Sequence, residues 1–186
     1  TAQGAGRVGG AYIVMTKKGP VFFADTTVNV NPNAEDLAEI AKGTANLVKQ
    51  FGYKPRVAML SYSNFGSTED ENTRKVADAV SILHKEEPKL VVDGEIQANF
   101  ALDGELLEEM FPFSELVGAG ANTFIFPNLE SGNIAYKMVQ SLTEMEVIGP
   151  VLMGLKKSVH VLPLGTGVNE IVNMVTIAVV DAQAKK

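Results

Sequence analysis

Short apolar runs alternate with longer amphipathic stretches along the whole sequence, and this alternation limits the possible folds more than any other feature. Short apolar runs are typical of buried strands, whereas apolar residues that recur every three or four positions are typical of helices packed on one side. Regular alternation of the two indicates strand–helix units around a mainly parallel sheet. The sequence therefore predicts an α/β fold, and 186 residues are enough to bury a core.

The pattern places the elements in this order along the chain. Strands are predicted at residues 11–15, 20–24, 56–61, 90–92, 122–126, 151–155 and 159–162. Helices are predicted at residues 34–51, 67–86, 105–110, 131–142 and 168–182. The first two strands are separated only by Lys17-Lys18-Gly19, so they are expected to form an antiparallel hairpin at one edge of the sheet.

Two helix starts carry capping residues. Asn33 precedes the first helix, and Glu35 and Asp36 add negative charge to its first turn. Ser67 and Asp70 have the spacing of a capping box, which predicts that the second helix begins there.

The last predicted helix is apolar nearly all round. A helix of this kind needs neighbours on several sides. We therefore expect its cover to come from a part of the parent chain outside these residues or from a second subunit.

Composition excludes several functional classes. There are no cysteines, so disulfides, thiol nucleophiles and thiolate metal sites are excluded, which suits a reducing cytoplasm. No apolar run approaches the roughly 20 residues of a membrane-spanning helix, and we predict a soluble, cytoplasmic protein without a membrane partner. The 16 Lys and Arg against 22 Asp and Glu argue against binding to a nucleic-acid backbone.

Two familiar patterns are weak here. Residues 4–9 match a dinucleotide fingerprint, with Asp25 as its acid, but a strand-like run follows the glycines where a helix is required. His84 and His160 are the only histidines and lack a partner at helical spacing, so no metal site is predicted.

Four polar or glycine-rich segments stand where predicted strands end, at residues 61–67, 93–97, 127–133 and 162–167. In open α/β sheets, ligands bind outside the carboxyl ends of the strands. One such segment means little because ordinary turns use the same residues. Four together suggest a cleft for an anionic or amide-rich ligand.

At these segments the sequence resembles the phosphate acetyl/butyryltransferase family. The resemblance rests on residues 57–67 (VAMLSYSNFGS), 93–97 (DGEIQ), 124–139 (FIFPNLESGNIAYKMV) and 148–155 (IGPVLMGL), and it extends over essentially the whole chain in order. It implies an α/β/α sandwich of the isocitrate/isopropylmalate dehydrogenase type, with a coenzyme A cleft between two domains and dimerisation through the second. Residues 1–153 then correspond to the second domain, and residues 154–186 to a strand and helix returning to a first domain that is absent.

The chain departs from this family at one loop. Active phosphate acetyltransferases carry Asn-Asp-Leu-Ser-Arg-Gly-Cys there, and the family assigns catalysis and phosphate binding to the serine, the arginine and a following aspartate. Pro163 replaces the serine, Leu164 the arginine, and Glu170 falls at the aspartate. Proline has no hydroxyl and leucine no cationic fork. Loss of such a charge-assisted contact costs about 2 to 4 kcal/mol, so no catalytic residue is predicted.

This degenerate version looks like the C-terminal, acetyl-CoA-sensing module of bacterial hybrid NADP-dependent malic enzymes. The resemblance implies that malate chemistry, NADP and a divalent metal belong to a preceding malic enzyme portion, and that this fragment holds no cofactor of its own. Acetyl-CoA is the expected effector, and a homodimer is the expected assembly. The expected ligand contacts are Ser63, Asn64, Gly66, Asn128, Gly132, Asn133, Gly149, Pro150, Leu164, Gly165 and Thr166.

Two alternatives stay open. The chain is either an active acyltransferase that uses Thr166 and Glu170 in altered roles, or a purely structural dimer module with a vestigial cleft.

Overall fold

The computed structural model describes residues 7–185, which form six strands and six helices. The strands are β1 (Gly9–Thr16), β2 (Gly19–Ala24), β3 (Arg56–Leu60), β4 (Val91–Ile96), β5 (Thr123–Ile125) and β6 (Val147–Met153). The helices are α1 (Ala34–Gln50), α2 (Glu71–Glu86), α3 (Ala98–Leu102), α4 (Gly104–Met110), α5 (Leu129–Leu142) and α6 (Val168–Ala184).

The strands form one sheet in the order β4-β3-β5-β2-β1-β6. β2, β5, β3 and β4 run parallel to one another. β1 is antiparallel to both of its neighbours, β2 and β6. The prediction of a mostly parallel sheet with an antiparallel strand near one edge is confirmed, and β1 lies one place inside that edge because β6 covers it.

Helices cover both faces of the sheet because side chains alternate between the faces along each strand. Val57 and Met59 of β3 belong to the core under α1, α2 and α6. Ala58 and Leu60 belong to the core under α3, α4 and α5. The predicted three-layer α/β/α sandwich is confirmed.

The predicted hairpin and the predicted start of the first helix are also confirmed. Asn33 is the N-cap of α1: its side-chain oxygen accepts a hydrogen bond from the backbone N–H of Asp36 at 2.8 Å, and the Asp36 carboxylate accepts from the Asn33 N–H at 3.3 Å. This reciprocal pair satisfies two N–H groups that have no partner inside the helix.

The capping box predicted for the second helix is wrong. α2 begins at Glu71, and its box is formed by Asp70 and Thr73, each of which accepts the other's backbone N–H at 2.9 Å. The hydroxyl of Ser67 accepts instead from the N–H of Asn64 in the preceding loop. Several polar residues in this stretch have capping spacing, so the local pattern did not decide between them.

The strand expected to end at residue 92 continues to Ile96, because Gly94 and Ile96 pair with Met59 and Leu60 of β3. The same pattern missed the five-residue helix α3. β6 begins at Val147, four residues before the predicted strand, and α5 begins at Leu129, two residues before the predicted helix.

The predicted strand at residues 159–162 is wrong. These residues make no strand ladder. The backbone N–H of Leu152 in β6 donates instead to Nδ1 of His160 at 3.2 Å. The His160 side chain thus accepts the hydrogen bond that a further strand beside β6 would otherwise have accepted from Leu152.

α6 packs on the sheet through one side, where Met174, Ile177 and Asp181 are buried. The rest of the helix carries large apolar side chains that are exposed, namely Val168, Ile171, Val172, Val175, Val179 and Val180. No helix within residues 7–185 combines the length and apolarity that a membrane crossing requires.

Candidate functional site

Two of the four predicted site segments meet at the ends of β3 and β4. Glu95 is only 3% exposed, and its Oε1 accepts hydrogen bonds from the Ser63 hydroxyl at 3.0 Å and from the Gly66 N–H at 2.6 Å. The side-chain oxygen of Asn64 accepts from the N–H of Gln97 at 2.8 Å. These polar atoms of Ser63, Asn64 and Gly66 therefore hold the loop against β4, and Ser63 is completely buried.

The third segment forms one wall of an open groove of about 690 Å³. The groove is lined by Val30, Asn31, Asn72, Asn128, Leu129, Glu130, Asn133 and Ile134. Beside it, Nζ of Lys75 donates to Oδ1 of Asn31 at 3.2 Å and to the carbonyl of Pro127 at 3.0 Å, and burial lowers the pKa of Lys75. Asn128 and Asn133 are thus the predicted contacts that lie in a concave surface here.

The start of α5 approaches the end of β2 closely at Gly132 and Asp25. A Cβ on Gly132 would lie well inside 3.0 Å of the Asp25 carbonyl oxygen and 3.3 Å from the side chain of Phe126. Gly132 is buried and lets the helix approach the sheet closely. Asp25, the acid of the rejected fingerprint, is also buried and orders the loop after β2 through hydrogen bonds from backbone N–H groups.

The fourth segment closes a cavity of about 210 Å³ at the sheet edge, between α5 and α6. Its walls are formed by Tyr12, Tyr136, Lys137, Gln140, Glu146, Val147, Ile148, Gly149, residues 162–166, Glu170, Asn173 and Met174. The predicted contacts Gly149, Leu164, Gly165 and Thr166 all lie in this wall. Pro150 is buried in β6 next to Gly149.

Two stacked tyrosines form the apolar side of this cavity. The rings of Tyr12 and Tyr136 lie 3.8 Å apart at an angle of 14°. Burial raises the pKa of Tyr12 well above its ordinary value, and the neighbouring Tyr136 and the charge of Glu170 raise it further. Nζ of Lys137 lies 5.3 Å from the centre of the Tyr136 ring, within the range of a cation–π contact.

The polar side of the cavity has a surplus of negative charge. One lysine, Lys137, faces two glutamates, Glu146 and Glu170. Glu146 accepts from the Asn173 side-chain amide at 2.6 Å, and Glu170 accepts from the Gly167 N–H at 2.7 Å as part of the α6 cap. Glu170 therefore caps the N-terminus of α6.

The side chains of Pro163 and Leu164, in the loop beside the cavity, offer no phosphate-binding group. Pro163 has no N–H to donate, and its carbonyl accepts the Thr166 hydroxyl at 2.5 Å. The aliphatic side chain of Leu164 is fully exposed. Recognition of a phosphate uses planar cationic or backbone N–H donors, and neither of these side chains supplies them.

Sequence analysis did not predict five residues that supply aromatic, charged and amide groups to this cavity, namely Tyr12, Tyr136, Lys137, Glu146 and Asn173. These residues lie on β1, α5 and α6 and just before β6. The sequence periodicity of such elements shows which side is apolar, but it does not identify residues that line a cavity. Tyr136 and Lys137 stood inside one of the stretches that carried the resemblance, and this was the only available indication of their importance.

Neither weak motif forms a site among the described residues. The first glycines of the fingerprint, Gly4 and Gly6, lie outside them, and Gly9 opens a strand. Within residues 7–185, no group of three or more histidine, aspartate or glutamate side chains is arranged to hold a metal ion.

Comparison with known proteins assigns the chain to a family. The family model described as phosphate acetyl/butaryl transferase matches residues 1–179. The chain belongs to this transferase family. Among the relatives, it is 41% identical to a phosphate acetyltransferase of Bacillus subtilis over 182 residues, which is 98% of this chain and 56% of that protein. It is also 41% identical to an NADP-dependent malic enzyme of Escherichia coli over 184 residues, which is 98% of this chain and 24% of that protein.

The transferase-family fold is also seen in solved structures. A phosphotransacetylase from Streptococcus pyogenes superposes with a TM-score of 0.92 and 38% identity, over 99% of this chain and 56% of that chain. The chain therefore spans about half the length of these phosphate acetyltransferases and about a quarter of the malic enzyme.

Proposed function

We propose that this chain is the transferase-like module of a cytoplasmic NADP-dependent malic enzyme, in which it binds acetyl-CoA as a regulator, mediates dimerisation and transfers no acyl group. The observation that carries this proposal is the loop beside the cavity. Pro163 and Leu164 stand where the family's active members have a serine and an arginine, and the rest of the cavity contains more negative than positive charge.

The charge of the cavity bears on which ligand group it accepts. Among the cavity-lining residues within 7–185, a phosphate group would meet Glu146 and Glu170 with Lys137 as the single counter-charge. Removal of one properly placed donor lowers the rate of an enzyme about 100-fold to 1000-fold. The acyl end of acetyl-CoA is uncharged, so it suits this cavity better than phosphate does.

The domain arrangement accounts for the uncovered apolar face of α6. In this proposal, residues 154–186 belong to a first domain whose remainder lies elsewhere in the protein, and that domain packs on Val172 and Val175. Each of these side chains is more than half exposed. Malate oxidation, NADP and the divalent metal then belong to the malic enzyme portion.

The regulatory role is tested on the full-length protein. Calorimetric titration with acetyl-CoA is expected to show binding, and malate turnover is expected to change when acetyl-CoA is added. Leu164→Glu places a charge at the cavity wall and is expected to weaken binding about tenfold or more, equal to about 1.4 kcal/mol. Leu102→Glu makes the same change at an exposed site on α3 and should leave binding at the wild-type value.

A second candidate function is an active phosphate acetyltransferase. It is supported by the 41% identity to the Bacillus subtilis enzyme, which equals the identity to the malic enzyme. Release of free thiol from acetyl-CoA in the presence of phosphate, at an ordinary enzymatic rate, would establish this alternative and refute a noncatalytic module. Normal dimerisation without any acetyl-CoA binding to the full-length protein would instead point to a vestigial cleft.

The dimerisation part of the proposal rests on α5. Ile134, Met138 and Leu142 lie on one side of this helix and are 55%, 53% and 75% exposed. An apolar stripe of this kind suits a self-complementary contact with a second copy.

We expect Met138→Glu to weaken the dimer about 100-fold or more, because a buried unpaired charge at an interface costs several kcal/mol. Sedimentation velocity over a concentration series measures this effect. Met110→Glu is the matched control, since Met110 on α4 is also 53% exposed. Equal behaviour of the two variants would rule out α5 as the contact.

A further inference from the structure

His160 is buried although the segment that carries it has no regular structure. It lies between β6 and α6, and its side chain is only 3% exposed. The residues that follow it, Leu162 to Thr166, form one wall of the cavity beside β6. The imidazole thus joins this wall to the rest of the fold.

The hydrogen bonds around this ring determine which of its two nitrogens carries the proton in the neutral form. The Leu152 N–H donates to Nδ1 of His160 at 3.2 Å, so the proton of the neutral ring must be on Nε2. Nε2 lies 3.3 Å from the Ser158 hydroxyl oxygen. The Ser158 hydroxyl donates its own hydrogen to the carbonyl of Ala178 at 2.9 Å. This chain connects β6, the segment and α6, and only the neutral ring with its proton on Nε2 satisfies every partner.

Protonation of His160 would break this chain at its first bond. A second ring proton on Nδ1 would face the Leu152 N–H, placing two donors against each other. Since Leu152 lies on the edge strand, its N–H would then lose its partner.

The surrounding charges do not compensate for the lost bond. The charged groups that act on the ring are Asp181, whose Oδ2 lies 3.8 Å from Nε2, and Lys185, both next to or on α6. Nζ of Lys185 binds the same Asp181 oxygen at 2.7 Å and partly neutralises it. β6 carries no ionisable side chain. Burial is the largest effect and lowers the pKa of His160 below its ordinary 6.5, against the attraction of Asp181.

We propose that His160 is an acid-operated latch: protonation of its ring releases residues 158–167 from β6 and α6 and opens the cavity between α5 and α6. The latch depends on no ligand and goes beyond the role proposed above. At neutral pH the segment is closed, and acidification shifts the population toward the open form.

The direction of the pH dependence follows from the lowered pKa. The released or unfolded segment binds a proton more readily than the closed one, so the latch is fully stable above about pH 6.5. Its stability falls as the pH drops from there to the lower pKa of the closed state.

The test is amide hydrogen–deuterium exchange of the full-length protein without ligand, read by mass spectrometry at Leu152 and in peptides covering residues 158–167. After correction for the intrinsic effect of pH on exchange, opening is expected to increase as the pH falls below about 6.5, by up to about tenfold per pH unit. Unchanged protection of the Leu152 amide between about pH 7.5 and about pH 5 would overturn the proposal. In the released segment His160 has an ordinary pKa and takes up a proton within this range, so opening must increase there.

Two variants and one direct measurement complete the test. His160→Asn keeps an acceptor near the Nδ1 position but does not titrate, so the pH dependence of exchange at Leu152 should disappear. His84→Gln, at the exposed histidine on α2 that contacts the Val92 carbonyl, should retain it. If His160→Asn keeps the wild-type pH dependence, the latch is not His160.

Exchange of the imidazole C2 hydrogen in the unaltered protein gives the pKa of His160 without any substitution. A midpoint below 6.5 is expected, and a midpoint at or above 6.5 would contradict the proposal.

Discussion

Replacing Asp25 with alanine is expected to lower the free energy of unfolding by about 2 to 6 kcal/mol, because at least two backbone N–H groups would stay buried without a partner. Oδ1 of Asp25 accepts from the N–H groups of Thr27 and Val28 at 2.8 and 3.0 Å, and more weakly from that of Gly10 at 3.3 Å. Oδ2 accepts from the N–H of Asn29 at 3.0 Å and from its side-chain amide. Asp25 is 2% exposed, and its hydrogen bonds from the Gly10 and Asn29 N–H groups are buried, so water has little access to these two groups.

Urea-dependent hydrogen exchange of peptides from β1, β2 and α1 measures this loss within the full-length protein. Asp78→Ala, which removes an exposed carboxylate on α2, is the control and should change stability by no more than about 0.5 kcal/mol. A loss at Asp25 as small as that of the control would mean that the loop after β2 orders itself without the carboxylate.

Gly132→Ala is expected to destabilise the domain by about 1 to 3 kcal/mol, because its methyl group would overlap the Asp25 carbonyl and press on Phe126. Backbone atoms of a packed strand end cannot move aside as a flexible side chain can. The clash outweighs the gain of up to about 1 kcal/mol that alanine brings over glycine in a helix.

Gly43→Ala separates the clash from the helix propensity. Gly43 also lies inside a helix, α1, but a Cβ there would meet nothing within 4 Å. This variant should stabilise the protein by about 0.5 to 1 kcal/mol. The same urea-dependent exchange, read in α1 and α5 peptides, compares the two. Gly132→Ala as stable as Gly43→Ala would show that α5 can move away from β2.

Local patterns in the sequence predicted most elements of the fold because they record which side of each element is apolar. The hairpin β1–β2 and helix α1 with its Asn33 cap were read correctly from such patterns. Where two readings satisfy the same local pattern, the prediction failed. Ser67 and Asp70 both suit an N-cap, and residues 159–162 are apolar enough for a strand that the structure does not form.

The structural contacts of several predicted site residues could not be predicted from the sequence, and their role in ligand binding stays a prediction. Ser63 and Gly66 bind Glu95, a partner about 30 positions away, and Gly132 provides room for the backbone of Asp25. Spacing along the chain does not report such contacts. The cavity residues Tyr12 and Lys137 were missed for the same reason, since they meet only after β1 and α5 pack together.

Periodicity and residue chemistry, which are properties of single positions and their near neighbours, were enough to predict the α/β class and to reveal the family resemblance. That Pro163 and Leu164 replace phosphate-binding residues is what this resemblance implies, and it stays a prediction. The folded structure was needed to show that Asp25 and Glu95 order loops, that Glu170 caps a helix, and that His160 links β6 to α6. Each of these roles depends on burial or on a partner that the local pattern does not identify. Both are decided when the layers pack.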